Sequence, residues 1–240
     1  FLLSMVIIFI LINQISNELT KESKKILIGT AIIIFVYRAM PGPGPGSTWW
    51  MIDVLKFDQQ FIAKLSLIAS VLALFGMFIF RKFMAEKSIS YVIGFLTIVG
   101  FVLTIPITAM FFGLHEWTAK ITNGVIDARA IALIDTALES PLGQIAMIPM
   151  LAWIANSAPR HLKATFFAVM ASFTNLALSA ASLGTKYYNQ IYTVSREVKD
   201  YLGNVITPQD YSELGMLMIT ASVVMLVMPI LAIYFVKKTK

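Results

Sequence analysis

The run from Ile89 to Phe112, ISYVIGFLTIVGFVLTIPITAMFF, holds no charged residue, with Lys87 before it and His115-Glu116 beyond it. An α-helix rises about 1.5 Å per residue and a hydrocarbon core is about 30 Å thick, so a run of this length crosses a bilayer once. Working outward, the same ruler finds Phe1 to Ser16, then Ile26 to Met40 with an interrupted continuation toward Trp50, then Phe61 to Phe80. Beyond the central run come Val125 to Ala155, Thr165 to about Tyr188, and Leu214 to Val236. None alternates polar and apolar residues as a barrel strand does, so the spans are helices. The expected fold is all-α, a polytopic transmembrane helix bundle of one partial and six full spans.

Composition agrees. The 240 residues are 58% hydrophobic and 13% charged, against about 45–50% and about 25% in a soluble domain. So short a soluble globule has too little interior for that much apolar surface. This excludes a soluble enzyme, a nucleic-acid binder and a disulfide scaffold, and with no cysteine there is no thiolate nucleophile or thiolate metal site. The net charge of +6 is that of a membrane protein whose basic loops orient it. Lys21, Lys24, Lys25, Arg81, Lys82, Lys87, Arg160, Lys163, Lys237, Lys238 and Lys240 fall in short segments on one side, the side expected to be cytoplasmic. The opposite loops hold Lys56, Lys120, Lys186, Arg196 and Lys199 over longer stretches. This alternation supports seven crossings and a cytoplasmic C-terminus.

A partial helix before six complete ones has the form of a carrier built from two six-helix halves. The expected organisation is residues 1–16 as the last helix of a truncated N-terminal half, 17–25 as a cytoplasmic inter-half loop, and 26–240 as the C-terminal six-helix half. The missing N-terminal half is then a partner of this one within the same protein.

Candidate site residues are those that break the apolar pattern. Pro41 to Gly46, PGPGPG, cannot continue a helix. Ile26 to Met40 spans only about 22 Å before it, so the break falls within the bilayer, where irregular backbone lines a cavity or is covered by protein. Arg38 precedes it, and arginine at such depth faces the bundle interior or snorkels. Asp135 and Glu139 share one face of the fifth span with Asp127 and Gly143. Like charges one turn apart repel, which favours uptake of a proton by one of the acids and suits proton coupling. Pro141 and Pro149 bracket Gln144 and bend that span. The sixth span carries Ser172, Thr174, Asn175, Ser179, Ser182 and Gly184, a small polar stripe whose Asn175 is a candidate for cavity lining. Trp49 and Trp50 are interfacial anchors or ligand-stacking rings, and Lys64 lies near membrane depth. The substrate-binding candidates are therefore Arg38, Trp49, Trp50, Lys64, Asp135, Glu139, Gln144 and Asn175. No catalytic residue, metal ligand or cofactor is expected, since His115 and His161 lack partners at ligand spacing.

These residues carry a resemblance. Arg38-Ala39-Met40-Pro41, Asp135-Thr-Ala-Leu-Glu139, Gly143-Gln144-Ile-Ala-Met-Ile-Pro149, Ala158-Pro159, Lys163-Ala164-Thr165-Phe166-Phe167-Ala168 and Ser172-Phe173-Thr174-Asn175 resemble the folate–biopterin transporter family of the major facilitator superfamily. The resemblance covers nearly the whole chain. It implies a secondary active, proton-coupled carrier of a folate- or pterin-like solute working by alternating access, with the second and fifth spans facing the cavity. The setting it implies is a bacterial inner membrane. A carrier of a muropeptide, sugar or drug with the same fold is the main alternative, and a channel-like or structural subunit a lesser one. No His-Glu-x-x-His or Walker motif is present.

Overall fold

The computed structural model describes residues 2–17, 20–143, 145 and 163–238. Ten helices occur among them, in chain order α1 (Leu2–Ser16), α2 (Lys21–Arg38), α3 (Gly46–Asp53), α4 (Gln59–Ile79), α5 (Arg81–Glu86), α6 (Ile89–Phe111), α7 (Leu114–Ile121), α8 (Ala128–Glu139), α9 (Lys163–Ile191) and α10 (Leu214–Lys238). A 3₁₀ turn, Ser140–Leu142, follows α8, and a two-stranded antiparallel hairpin, β1 (Val198–Lys199) with β2 (Val205–Thr207), joins α9 to α10. Four described helices, α4, α6, α9 and α10, are long and apolar enough to cross a membrane. The chain is a helical membrane bundle.

The helices begin where side-chain oxygens can replace missing backbone partners. Thr20, Asp58, Ser88 and Asp127 cap α2, α4, α6 and α8, accepting from the amides of Ser23, Phe61, Tyr91 and Ala130. Each such cap contributes about 1 kcal/mol. The Thr20 cap also explains why α2 starts at Lys21, inside the segment expected to be a loop. Of the fifth span, expected to run from Val125 to Ala155, the described part is α-helical from Ala128 to Glu139 and then passes into the 3₁₀ turn. Pro141 has no amide hydrogen with which to continue the helix.

Four apolar clusters hold the described part of the bundle, and the two largest lie at its ends. At one end α2 packs on α6, α9 and α10 through Leu27, Ile33, Ile34, Ile93, Met170 and Val236. At the other, Trp50 of α3 sits among Met110, Ile131, Leu214, Leu217 and Met218. α4 packs on α8 through Phe61 and Ala132, and it meets the 3₁₀ turn backbone to backbone. A Cβ on Gly76 would stand 2.1 Å from the Pro141 carbonyl oxygen. Only glycine permits that approach.

The loops on the α3 side are tied by charge. Arg196 donates two hydrogen bonds to the Asp53 carboxylate, at 2.9 and 2.7 Å, and the Tyr211 hydroxyl donates a third at 2.7 Å. The Arg196 hydrogen bond holds the Asp53 carboxyl below its ordinary range, with Tyr211 helping and partial desolvation opposing. Arg129 pairs with Asp58 at 2.9 Å and lies over the Phe61 ring.

Two measurements check these contacts. Gly76→Ala forces α4 off the turn, with an expected loss of about 1–3 kcal/mol read as a lower thermal midpoint in detergent; an unchanged midpoint refutes the close contact. For the clamp, a depressed folded pKa means stability present above the unfolded value near 4 and lost as pH falls through the folded one. Asp53→Asn should therefore lower the thermal midpoint at pH 7, and that deficit should begin to shrink at about pH 4 and go on shrinking as the pH falls further. A deficit that does not vary with pH refutes the ionic clamp.

Candidate functional site

α8, ARAIALIDTALE, carries two acids among mostly apolar neighbours. Asp135 lies on its packed face with Ile131 and Ala132 and is 8% exposed. Its Oδ1 is buried and accepts no hydrogen bond among the described residues. A buried polar atom left unpaired costs about 1–3 kcal/mol, more when charged. Glu139 follows one turn later on the same side, at the end of α8, and is exposed. The two acids thus stand at different depths, one enclosed and one open, immediately before the 3₁₀ turn. Gln144 lies outside the described residues, as do Pro149 and His161.

Arg38 is the last residue of α2, spaced from Ile34, Ala31 and Leu27 so that it continues their buried face. It is half-buried, and its Nε has no hydrogen-bond partner among the described residues. The Pro-Gly segment that follows packs on α9 instead of projecting as a plain loop. The Gly42 amide donates to Thr185 Oγ1 at 3.1 Å, and Asn189 Nδ2 donates to the Pro43 carbonyl at 3.4 Å. Gly44 has φ +77°, and a Cβ there would lie 2.9 Å from Asn189 Nδ2. α9 therefore supplies the donors and acceptors that the broken helix lacks.

The opposite face of α9 is open. Ser172, Asn175, Ser179, Ser182 and Lys186 recur every three or four residues and are exposed. With Ser4 of α1 they line a cavity of about 610 Å³. The serine hydroxyls donate back to Ala168, Asn175 and Leu178 carbonyls, so the Asn175 amide and Lys186 ammonium are the principal donors on this wall. Thr174 and Gly184, read from sequence as parts of the same stripe, lie on packed faces, Thr174 buried and Gly184 against Pro41. Sequence reasoning missed Lys186, counted there as a loop residue, although its spacing from Ser182 puts it on the stripe. It also missed a face of small residues on α4, Ala63, Ser66 and Ser70, all exposed.

Three candidates sit elsewhere. Trp50 is 4% exposed and its ring meets Phe111 at 5.4 Å between centroids. Its ring is thus packed inside the protein; Trp49 beside it is only half-buried. Lys64 is exposed on the α4 face that also carries Leu67, Val71 and Phe78, at 66, 43 and 76% exposure, the position of a lysine that snorkels from an apolar surface. The structure brings Asp135 to Glu139 along one helix and Asn175 to Lys186 along another; the cavity on α9 contains neither acid nor Arg38. Among the described residues no cluster of histidine and acids could hold a metal.

Known proteins match this chain along most of its length. The folate–biopterin transporter of Synechocystis is 28% identical over 65% of the chain and 30% of its own length. A putative folate transporter 2 of Plasmodium berghei is 23% identical over 79% of the chain and 40% of its own length. Folate transporter 2 of Plasmodium falciparum is 26% identical over 73% of the chain and 37% of its own length. The chain thus spans well under half of the relatives it matches. No solved structure matches it. The BT1 family model matches residues 3–240, and the chain belongs to the BT1 family.

Proposed function

We propose that this chain forms one wall of a proton-coupled carrier that moves a folate- or pterin-like solute by alternating access, its C-terminus cytoplasmic and the opposing wall supplied by a preceding half. The kinship to folate and folate–biopterin transporters supports transport of such solutes. The observation that carries the mechanism is the Asp135 carboxyl, enclosed in an apolar bundle with an oxygen unpaired among the described residues. Ionisable groups at membrane depth are costly and serve pathways or relays.

The chemistry fits. A pterin edge presents adjacent N–H donors, which one carboxylate accepts as a bidentate pair; Asp135 takes that role. Glu139, exposed one turn away, exchanges the coupling proton. A carboxylated tail suits Arg38, whose guanidinium has a buried nitrogen unpaired among the described residues, and the stripe of Asn175 to Lys186 supplies further donors. Trp49 offers a ring for stacking, Gln144 lies beside the acids in sequence, and Trp50 and Lys64 act from the periphery, by fixing α3 and by anchoring α4. A carrier of another cargo uses the same wall with different donors.

Uptake by the full-length protein tests this. Asp135→Asn should lower folate or pterin uptake about 10- to 100-fold, the loss of one hydrogen-bonded charge. Glu139→Gln should flatten the pH dependence of uptake while binding persists. If both variants keep pH-dependent uptake, the acid mechanism fails. If binding measurements detect a sugar or peptide but neither folate nor pterin, the cargo assignment fails and the fold survives.

A further inference from the structure

α6 and α10 pack side by side, and their seam opens into a groove at each end. The groove toward the start of α6 and the end of α10 has a volume of about 420 Å³ and is lined by Ser90, Tyr91, Gly94, Ile98, Ile233 and Lys237, among others. Its walls are apolar, its polar groups are at the mouth, and Lys87 lies over the Tyr91 ring at 5.5 Å from the centroid. Two lysines, Lys87 and Lys237, therefore flank one opening, and both are exposed. The neighbouring acid, Glu86, already pairs with Lys82 at 3.9 Å.

The other groove on this seam, about 280 Å³, is lined by Thr104, Thr108, Phe112, Ile219 and Ser222 with further apolar residues and no charged one. The same two spans thus offer a cationic groove on the side of the basic loops and a neutral one on the opposite side. Both helices are long and apolar enough to cross the membrane, and Tyr91, Ile98 and Ile230 are exposed along their outer surface at 54, 54 and 39%. A ligand there must be apolar along its length and anionic at one end.

We propose that the groove between Tyr91 and Lys237 is a binding site for an anionic phospholipid of the leaflet facing the basic loops. The phosphate sits between Lys87 and Lys237 with the Ser90 hydroxyl in reach of the mouth, and one acyl chain lies over Gly94 against Ile98 and Ile233. A glycine at position 94 forms the floor, since a Cβ there would stand 3.6 Å from Ile233 Cδ1 and a larger side chain would fill the chain's path. Lysines near a membrane surface contribute about fivefold each to the attraction of anionic lipid.

The test uses purified full-length protein in neutral detergent, titrated with phosphatidylglycerol, phosphatidylcholine or inorganic phosphate and read by native mass spectrometry for retained lipid and by thermal midpoint. The parent should retain phosphatidylglycerol in preference to phosphatidylcholine and be stabilised by it. Lys87→Gln with Lys237→Gln should weaken phosphatidylglycerol retention about 25-fold and leave phosphatidylcholine unaffected. Gly94→Leu, which keeps both lysines, should also release the lipid. Equal retention of the two lipids by the parent, full retention by the double variant, or full retention by Gly94→Leu overturns the proposal. Equal stabilisation by inorganic phosphate overturns it in favour of a free anion. None of these readouts depends on cargo or on proton coupling, so the outcome is separate from that of the transport reading.

Discussion

A hydrocarbon core offers no hydrogen-bond partner, so every polar group that enters it must bring its own or be supplied by a neighbour. That constraint explains the arrangement of α9. Where α2 stops at Arg38, the chain passes through Pro41 to Gly44 outside any helix, and Thr185 and Asn189 reach across to Gly42 and Pro43. An unsatisfied backbone group at that depth costs several kcal/mol, far above the tenths of a kcal/mol at which helix propensities differ. One face of α9 is thus committed to repairing a neighbour. Its other face carries the serines, Asn175 and Lys186.

The same constraint sorts the charges. The described ion pairs, Lys82–Glu86, Arg129–Asp58, Arg196–Asp53 and Lys199–Glu197, all lie in loops or at helix ends. The exposed pairs among them contribute about 0–1 kcal/mol each, and their work is local: Arg129 fastens α8 to the start of α4, while Arg196, bidentate on a half-buried Asp53, fastens the α9–α10 hairpin to α3. Asp135 and Arg38 stand apart, inside the bundle, each with a buried polar atom that no described residue meets. The cost of such atoms exceeds what the surface pairs contribute, which is why the acid on α8 outweighs the ion pairs in any account of function.

Hydropathy located α4, α6 and α10 to within a residue or two, because crossing length is a local property of composition. It missed the start of α2, where a Thr20 cap extends the helix through Glu22 and Lys24, since capping favours polar residues that a hydropathy ruler counts as loop. It also could not orient the helices. In water an apolar stripe marks the core, but in lipid both the core and the outer surface are apolar, so Leu67 and Phe61 read alike although one is 66% and the other 8% exposed. The tryptophans show the same ambiguity: adjacent in sequence, about 100° apart on a helix, and only Trp50 enclosed. Orientation became legible only where polar residues broke the pattern, as along α9, and even there Thr174 and Asn175 point to opposite environments.

That contrast between exposed faces carries an argument of its own. On α6 and α10 the exposed side chains include Tyr91, Ile98, Val102, Ile105, Val223 and Tyr234; on α9 one exposed stripe is polar, Ser172, Asn175, Ser179, Ser182 and Lys186, and it runs beside exposed Leu178, Leu183 and Tyr187. Two surfaces so different cannot share a solvent. The first suits lipid, where apolar side chains lose nothing, and the second suits water or another protein wall, because an amide and an ammonium against acyl chains would each cost several kcal/mol. The bundle therefore has an outer side and an inner side irrespective of what it carries. Packing of α2 against α6, α9 and α10 maintains that division.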